Sequence, residues 1–210
     1  MNKTEIVKII DNEKLVFVTR LKTHKQIPRV IESLSNAGVK VLEITSNTPN
    51  YANEIKKARA LYPNILIGAG TVINEKIALE AINKGAQFLV TPNTNPALIS
   101  IAHQNNIPIL MGALTPTEVC IAAEAGADFV KLFPADIMGI PYFKSIKAPL
   151  DKIKLLAVGG IELNTVKKWF ESGAYGIGIA SVIKDDLKTD EDFLEIENNA
   201  RNFINEIKNL

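Results

Sequence analysis

Four segments of the chain repeat one pattern: NAGVKVLEI (36–44), NKGAQFLVT (83–91), EAGADFVKL (124–132) and ESGAYGIGI (171–179). Each segment has a glycine, then a small or branched residue, then an apolar run of strand length. Successive glycines are 47, 41 and 47 residues apart, and they are Gly38, Gly85, Gly126 and Gly173. Since glycine is the usual residue just past a helix end, each segment predicts a helix followed closely by a strand.

Four other apolar runs alternate with these segments: LVFVT (15–19), ILIGAG (65–70), IPILMG (107–112) and IKLLAVGG (153–160). Together the two sets predict eight strands, each followed by a helical segment or by a gap long enough for a helix. Strands that are apolar almost throughout and that alternate with helices indicate a parallel sheet buried on both faces. Eight such units predict an α/β fold, a (β/α)8 TIM barrel. A doubly wound open sheet is the alternative, but a repeat over pairs of strands favours a closed one.

Both ends of the chain predict additional helices. Residues 2–12 predict an extra N-terminal helix that covers the bottom of the barrel. The last residues, DEDFLEIENNARNFINEIKNL (190–210), predict an amphipathic helix. After the sixth strand, GIPYFKSIK (139–147) predicts only a short, weak helix because it contains a proline. No boundary is evident, so residues 1–210 are expected to form a single domain.

Capping residues predict where three of the helices begin. Thr48 and Asn95 each stand directly before a proline, which favours them as caps with the proline at the first helical position. Thr115 stands three residues before Glu118, the spacing of a capping box.

Charge and cysteine content narrow the classes of function. Lys and Arg number 24, Asp and Glu number 23, and the formal net charge of +1 argues against a nucleic-acid partner. A small anionic ligand needs only local positive groups and is compatible with this balance. The single cysteine, Cys120, excludes an internal disulfide and fits a reducing cytoplasm. Because the apolar stretches are strand-sized and no secretory signal is evident, we expect a cytoplasmic protein without a membrane segment.

The repeat also gives a register for the strands. The fifth residue after each repeat glycine is Glu43, Val90, Lys131 or Gly178, on strands 2, 4, 6 and 8. In an eight-stranded barrel, alternate strands contribute one layer of inward side chains. An acid and an amine are therefore expected to face each other in an otherwise apolar layer near the C-terminal mouth. A register shift of one residue would turn these side chains outward.

A lysine in such a layer has a chemical use. Burial disfavours the charged form of Lys131 and lowers its pKa, and a neutral amine can attack a carbonyl to form a Schiff base. The alternatives are a lysine that reaches water at the strand end, or an inert buried salt bridge with Glu43. The predicted acid partner at the catalytic face favours the functional interpretation.

Glycines end the seventh and eighth strands. AVGG (157–160) supplies Gly159 and Gly160, and GIGIAS (176–181) supplies Gly178 and Ser181. In barrels these two loops commonly bind phosphate, because glycine lets backbone N–H groups approach the oxygens. Neither stretch completes a G-x-G-x-x-G pattern, which disfavours a Rossmann fold. Ordinary turn glycines are the alternative.

Two further residues are placed at the mouth. Arg20 ends the first strand in FVTR (17–20), and a guanidinium there could bind a carboxylate bidentately, although a surface ion pair would explain it too. Thr71 ends the third strand in GAGT (68–71), where helix capping is the alternative role. The two histidines, His24 and His103, are far apart without ligand spacing, so no metal site is expected and both are interpreted as surface residues.

Together these residues resemble the class I aldolases of the 2-keto-3-deoxy-6-phosphogluconate and 4-hydroxy-2-oxoglutarate family. The similarity covers nearly the whole chain. The matching stretches are VLEIT (41–45), IGAGTV (67–72), GAQFLVTPN (85–93), LTPTE (114–118), FVKLFPAD (129–136) and AVGGI (157–161). The resemblance implies a homotrimer of barrels, a small phosphorylated keto acid as substrate, and no metal or organic cofactor.

The resemblance also implies roles for individual residues. It makes Lys131 the Schiff-base lysine and Glu43 the general acid/base, which works through a bound water. The other matched positions are Thr71 and Phe133 at the pyruvate end, Pro92 and Gly112 in the pocket wall, and Gly159, Gly160 and Ser181 at the phosphate.

Two departures from the family pattern bear on the substrate. The phosphogluconate branch often has an arginine where this chain has Asn47. In other branches of the family the arginine that ends the first strand can bind the substrate carboxylate, so the resemblance makes Arg20 the candidate here. That branch also usually reads PTGG where this chain reads AVGG, which puts Val158 in place of a threonine hydroxyl. AVGG, VTPN (90–93) and SNTP (46–49) look more like the 2-keto-3-deoxy-6-phosphogalactonate branch. The two substrates differ only in the configuration of the C4 hydroxyl, and we favour the galactonate epimer.

The sequence thus predicts a Schiff-base aldolase that releases pyruvate and glyceraldehyde 3-phosphate. Two alternatives stay open. Another phosphate-binding barrel enzyme, an isomerase or epimerase, would use the same glycine loops with acid–base pairs and no imine. A non-catalytic sugar-phosphate-binding barrel would simply pair Lys131 with Glu43.

Overall fold

The computed structural model describes residues 1–184 and 186–210, and their strands form one closed parallel barrel in the order β1 to β8. The eight strands are β1 Leu15–Thr19, β2 Val41–Thr45, β3 Leu66–Gly70, β4 Leu89–Val90, β5 Ile109–Ala113, β6 Phe129–Leu132, β7 Leu155–Val158 and β8 Gly176–Ile179. Every residue in these strands is buried. The closed barrel confirms the predicted (β/α)8 architecture and excludes the open sheet.

Helices surround the strands. They are α1 Lys3–Glu13, α2 Ile27–Ala37, α3 Tyr51–Leu61, α4 Glu75–Asn83, α5 Ala97–Gln104, α6 Pro116–Glu124, α7 Ala135–Lys147, α8 Val166–Glu171 and α9 Asp190–Lys208. Short 3-10 turns, His24–Gln26 and Leu163–Thr165, precede α2 and α8. Among the described residues, no helix is both long enough and apolar enough to cross a membrane.

The four repeat glycines end helices as predicted. Their φ angles are 94°, 95°, 93° and 94°, in the left-handed region that glycine enters without a steric penalty. In each case the amide after the glycine donates to the carbonyl five residues earlier: Val39 to Leu34, Ala86 to Ala81, Ala127 to Ala122, and Ala174 to Trp169. These hydrogen bonds form the Schellman motif, which satisfies carbonyls at the helix end and turns the chain into the next strand.

The N-terminal helix covers the bottom of the barrel, as expected. Within α1, Asp11 accepts from Lys154 Nζ at 2.7 and 2.8 Å and from the Tyr175 hydroxyl at 2.8 Å. At the other end of α1, Lys3 pairs with Asp128 at 3.1 Å. These partners all lie just before β6, β7 or β8, so α1 closes the end opposite the mouth.

Two of the three predicted helix starts need correction. Thr48 does not cap α3; the helix begins at Tyr51 after Asn50, whose φ is 59°. Thr48 is buried and its hydroxyl accepts from the Leu21 amide at 3.1 Å instead. Helix α5 begins one residue later than expected, with Pro96 rather than Asn95 at the cap. The Thr115 capping box is confirmed.

The weak helix after β6 is a helix with a break. Within α7, Gly139 has φ 78° and ψ 166°, which is not helical, and Pro141 follows two residues later. The first turn of α7 is therefore separated from the rest, and it lies directly after the strand that carries Lys131.

Candidate active site

One small cavity lies inside the upper barrel, and its lining contains all four residues of the predicted layer: Glu43, Val90, Lys131 and Gly178. The remaining lining is aliphatic and comes from Val16, Val18, Leu110, Leu156 and Val158. The inward orientation of Lys131 is thus confirmed. The space open to the centre of a water molecule is about 10 Å³, close to what one ordered water needs.

Glu43 is an acid placed in an apolar cavity. It is 1% exposed, and its Oε2 has no hydrogen-bond partner among the described residues. Burial raises the pKa of Glu43 to about 7, although the nearby charges of Lys131 and Arg20 act to lower it. A carboxyl group with such a pKa can give or take a proton near neutrality.

Space for the Glu43 carboxyl group comes from the neighbouring strand. A Cβ on Gly70 would lie 2.3 Å from Glu43 Oε1, so no larger residue fits there without displacing the acid. Gly68, two residues earlier on the same face of β3, likewise leaves room for the buried Phe88 ring, which a Cβ would approach to 2.5 Å. Gly70 thus leaves room for the Glu43 carboxyl group, and Gly68 leaves room for the Phe88 ring beneath it.

Lys131 reaches the same cavity from β6. It is 6% exposed, and its Nζ lies 4.7 Å from the centre of the Phe133 ring. Burial lowers the pKa of Lys131, and the charge of Arg20 lowers it further while that of Glu43 raises it. Desolvation is the largest of these effects, so the amine loses its proton more readily than an exposed lysine.

Arg20 and Thr71 meet at the mouth above this pair. Arg20 Nη2 donates to Thr71 Oγ1 at 3.4 Å, and Arg20 itself is exposed to solvent. Thr71 has φ 56°, an unusual conformation for a β-branched residue. The Ser46 hydroxyl donates to the Thr71 carbonyl at 2.7 Å and helps hold it there. A cation and a hydroxyl group therefore lie side by side at the mouth.

Pro92 and Gly112 lie against each other at the C-terminal ends of β4 and β5, and their place in the pocket wall stays a prediction. The Pro92 backbone lies directly over Gly112, where a Cβ would come within 2.4 Å of it. Gly112 is paired with Lys131 in the β5–β6 register. Thr91 and Thr94 fasten this loop to β5, since Thr91 Oγ1 accepts from Gly112 N at 2.8 Å and Thr94 Oγ1 donates to Gly112 O at 2.7 Å.

The loops after β7 and β8 also meet. Gly159 and Gly160 have φ angles of 100° and 62°, in the left-handed region that favours glycine. Ser181, in the next loop, donates to the Ile161 carbonyl at 3.2 Å. An acid also borders this loop, because a Cβ on Gly160 would lie 2.1 Å from Asp136 Oδ2. The loops are adjacent as predicted, and phosphate binding there stays a prediction.

The other proposed site residues have clear places. Gly178 lies within β8 rather than in a loop, paired with Val16 and Val158, so it borders the cavity below the mouth. Val158 is 8% exposed and covers Gly178. Asn47 is exposed beside the mouth.

Three residues shape the site although the sequence predicted no role there for them: Gly70, Ser46 and Thr48. The i, i+2 glycines of β3 were a usable signal, because such residues share a face and the neighbouring strand carried the acid. The hydroxyls of Ser46 and Thr48 gave no such signal, since their partners lie in other loops.

Neither His103 nor Cys120 belongs to this site. His103 is not a simple surface residue, since its Nε2 lies 2.9 Å from Asp128 Oδ2 at the barrel bottom. Cys120 lies partly buried on α6, away from the mouth. In the part of the chain that the structure describes, no group of three or more His, Cys, Asp or Glu side chains could hold a metal ion.

Comparison with known proteins agrees with this geometry. Residues 6–199 match the family model for KDPG and KHG aldolase. A 2-dehydro-3-deoxy-phosphogluconate aldolase from Haemophilus influenzae is 32% identical over 166 residues, 79% of this chain and 78% of that protein. A 2-dehydro-3-deoxy-6-phosphogalactonate aldolase from Escherichia coli K12 is 32% identical over 169 residues, 80% of this chain and 82% of that protein.

A solved structure agrees as well. A native KDPGal structure superposes with a TM-score of 0.86 at 28% identity, covering 93% of this chain and 94% of its own. The resemblance seen in the motifs therefore extends over the whole barrel, and the chain belongs to the KDPG and KHG aldolase family.

Proposed function

We propose that this aldolase is a Schiff-base enzyme that cleaves a 2-keto-3-deoxy-6-phospho sugar acid to pyruvate and glyceraldehyde 3-phosphate. The observation that carries the proposal is an apolar cavity that holds both the Lys131 amine and Glu43 Oε2, an oxygen that has no hydrogen-bond partner among the described residues. The names of the relatives from Haemophilus influenzae and Escherichia coli support the substrate class.

Lys131 begins the proposed reaction. Its neutral amine attacks the C2 ketone to give a carbinolamine, whose hydroxyl group takes up a proton and leaves as water, so that an iminium ion forms. The lowered pKa of Lys131 makes the neutral form available. The iminium then accepts electrons when the C3–C4 bond breaks, so the chemistry needs neither a metal ion nor an organic cofactor.

Glu43 acts as the general acid/base in this scheme. As a carboxylate, working through one water in the cavity, it removes the proton of the C4 hydroxyl. The C3–C4 bonding electrons move toward the iminium and leave an enamine, and the aldehyde departs. Protonation of the enamine at C3 and hydrolysis by water then release pyruvate and free Lys131. A raised pKa suits Glu43 to both proton transfers.

The two anionic ends of the substrate would occupy opposite sides of this pair. Arg20 and Thr71, joined at 3.4 Å, are proposed to bind the carboxylate, with Phe133, Pro92 and Gly112 around the pyruvate end. The phosphate is proposed to lie on the loops of Gly159, Gly160 and Ser181, bordered by Gly178. The exposed Asp136 beside Gly160 would have to turn away from a bound phosphate.

We further propose the galactonate epimer as the preferred substrate. Val158 lines the cavity and offers only methyl groups where a hydroxyl could recognise the C4 substituent. Asn47 stands at the second specificity position. Assembly as a homotrimer and a cytoplasmic location are proposed from the family resemblance, and sedimentation equilibrium can measure the assembly.

Reduction with borohydride in the presence of pyruvate is expected to attach a pyruvate-sized adduct to Lys131. Peptide mass spectrometry locates the adduct. The Lys131→Arg variant keeps a positive charge but has no nucleophilic amine, so it should lose both the adduct and cleavage activity. An isomerase or a non-catalytic barrel would give no adduct. Normal turnover by Lys131→Arg would equally contradict the proposal.

Activity is expected to depend on the ionisation of Glu43. Because the carboxylate is the form that accepts the C4 proton, kcat/KM should fall about tenfold per pH unit below the Glu43 pKa of about 7. The Glu43→Gln variant should lose roughly 10²- to 10⁴-fold in kcat and lack this acidic limb. A limb of the same position and slope in Glu43→Gln would assign it to another group.

Rates on the two phosphorylated epimers test the role of Val158. The wild type is expected to cleave the galactonate form with the higher kcat/KM. The Val158→Thr variant, which adds a hydroxyl of similar size, should narrow the preference by about tenfold, roughly the value of one hydrogen bond. The Val158→Ala variant controls for volume alone. A clear wild-type preference for the gluconate form would contradict the assignment.

A further inference from the structure

We propose that Ser46 and Thr48, on the loop between β2 and α3, are positioning residues that set the geometry of Arg20 and Thr71 for the substrate carboxylate. The inference rests on the proposed function. It adds a role for two hydroxyl groups that themselves do not touch the substrate.

Thr48 controls the segment that carries Arg20. It is 1% exposed, and its hydroxyl accepts from the Leu21 amide at 3.1 Å. Leu21 directly follows Arg20 beyond the end of β1, where the barrel ladder no longer fixes the backbone. The Thr48 hydroxyl therefore accepts the hydrogen bond that a neighbouring strand would otherwise accept from the Leu21 amide. It does so at the residue next to Arg20.

Thr48 is itself held in place. Its amide donates to the Thr45 carbonyl at 2.9 Å, and the hydroxyls of Thr45 and Thr48 lie 3.2 Å apart. Thr45 Oγ1 reaches back to the Thr19 carbonyl at 3.4 Å. This chain of contacts joins the ends of β1 and β2, so the Arg20 segment moves with the strand that carries Glu43.

Ser46 controls the other member of the pair. Its amide donates to the Gly70 carbonyl at 2.8 Å and its hydroxyl donates to the Thr71 carbonyl at 2.7 Å. Thr71 has a left-handed φ of 56°, which costs a β-branched residue energy and needs a surrounding structure to hold it. The Ser46 contacts fall on the two carbonyls next to that strained dihedral.

The loop thus acts on both sides at once. Ser46 is hydrogen-bonded to the segment that ends β3, and Thr48 is hydrogen-bonded to the segment that follows β1. Asn47 between them is exposed. The guanidinium of Arg20 and the hydroxyl of Thr71, which these two contacts place, meet at 3.4 Å. A small displacement of Arg20 or Thr71 would strongly weaken their binding of a carboxylate. Loss of either hydroxyl should therefore lower the affinity for a ligand that carries a carboxylate more than for one that does not.

Trapping at Lys131 with two ketones separates this role from a structural one. Pyruvate carries a carboxylate and acetone does not, yet both present a ketone to the amine. Borohydride trapping measures the ketone concentration that gives half-maximal modification of Lys131. The variants are Thr48→Val, which keeps the shape without the hydroxyl, Thr48→Ser, which keeps the hydroxyl, and Ser46→Ala.

Thr48→Val and Ser46→Ala should each raise the half-maximal pyruvate concentration about tenfold, as expected for one lost hydrogen bond. The acetone value should change by less than about twofold, since the amine and its burial are untouched. Thr48→Ser should restore the wild-type pyruvate value. If Thr48→Val fails to fold by circular dichroism, Ser46→Ala carries the test, since Ser46 is only partly buried.

Equal shifts for pyruvate and acetone, or none for pyruvate, would overturn the positioning role and leave the aldolase mechanism intact. Absence of any pyruvate adduct on wild-type Lys131 would instead overturn the proposed function, and this inference with it.

Discussion

Desolvation of an amine and a carboxyl group inside one closed barrel is the constraint around which this site is built. In water the two groups have pKa values near 10.5 and 4.5. Burial brings the two pKa values closer together: it raises the pKa of Glu43 to about 7 and lowers the pKa of Lys131. An isolated buried charge costs several kcal/mol, so each group is easier to keep neutral than in solvent. The aliphatic side chains that line the cavity with the pair, among them Val16, Val18 and Leu110, come from other strands of the closed barrel.

The backbone around the pair supplies the space that desolvation requires. Gly70 leaves room for the Glu43 carboxyl group, and Gly112 lets the Pro92 backbone close over β5 beside Lys131. Below them Phe88 fills the barrel against Gly68. The result is a packed lower layer and a small cavity above it. Large residues at these three glycine positions would overpack the site, because protein interiors have few voids to spare.

The fold followed from the sequence because its signals are local. A helix-ending glycine and a strand of apolar residues need only neighbouring residues to form, and the period of the repeat located Glu43 and Lys131 in one layer. The start of α3 was missed because Thr48 bonds to Leu21, which is 27 residues away, rather than to its own helix. The contacts that shape the mouth join loops after different strands, and such pairings depend on barrel closure rather than on local pattern.

The pKa of the Lys131 amine, measured directly, is the sharpest test of the proposed Schiff-base chemistry. NMR of protein labelled in its lysine side chains follows each ammonium group through a pH titration, and the Lys131→Arg spectrum identifies the signal. The pKa of Lys131 is expected to lie clearly below the ordinary 10.5, because burial outweighs the attraction of Glu43. A value at or above 10.5 would show that the ion pair dominates and that no neutral amine is available for a Schiff base.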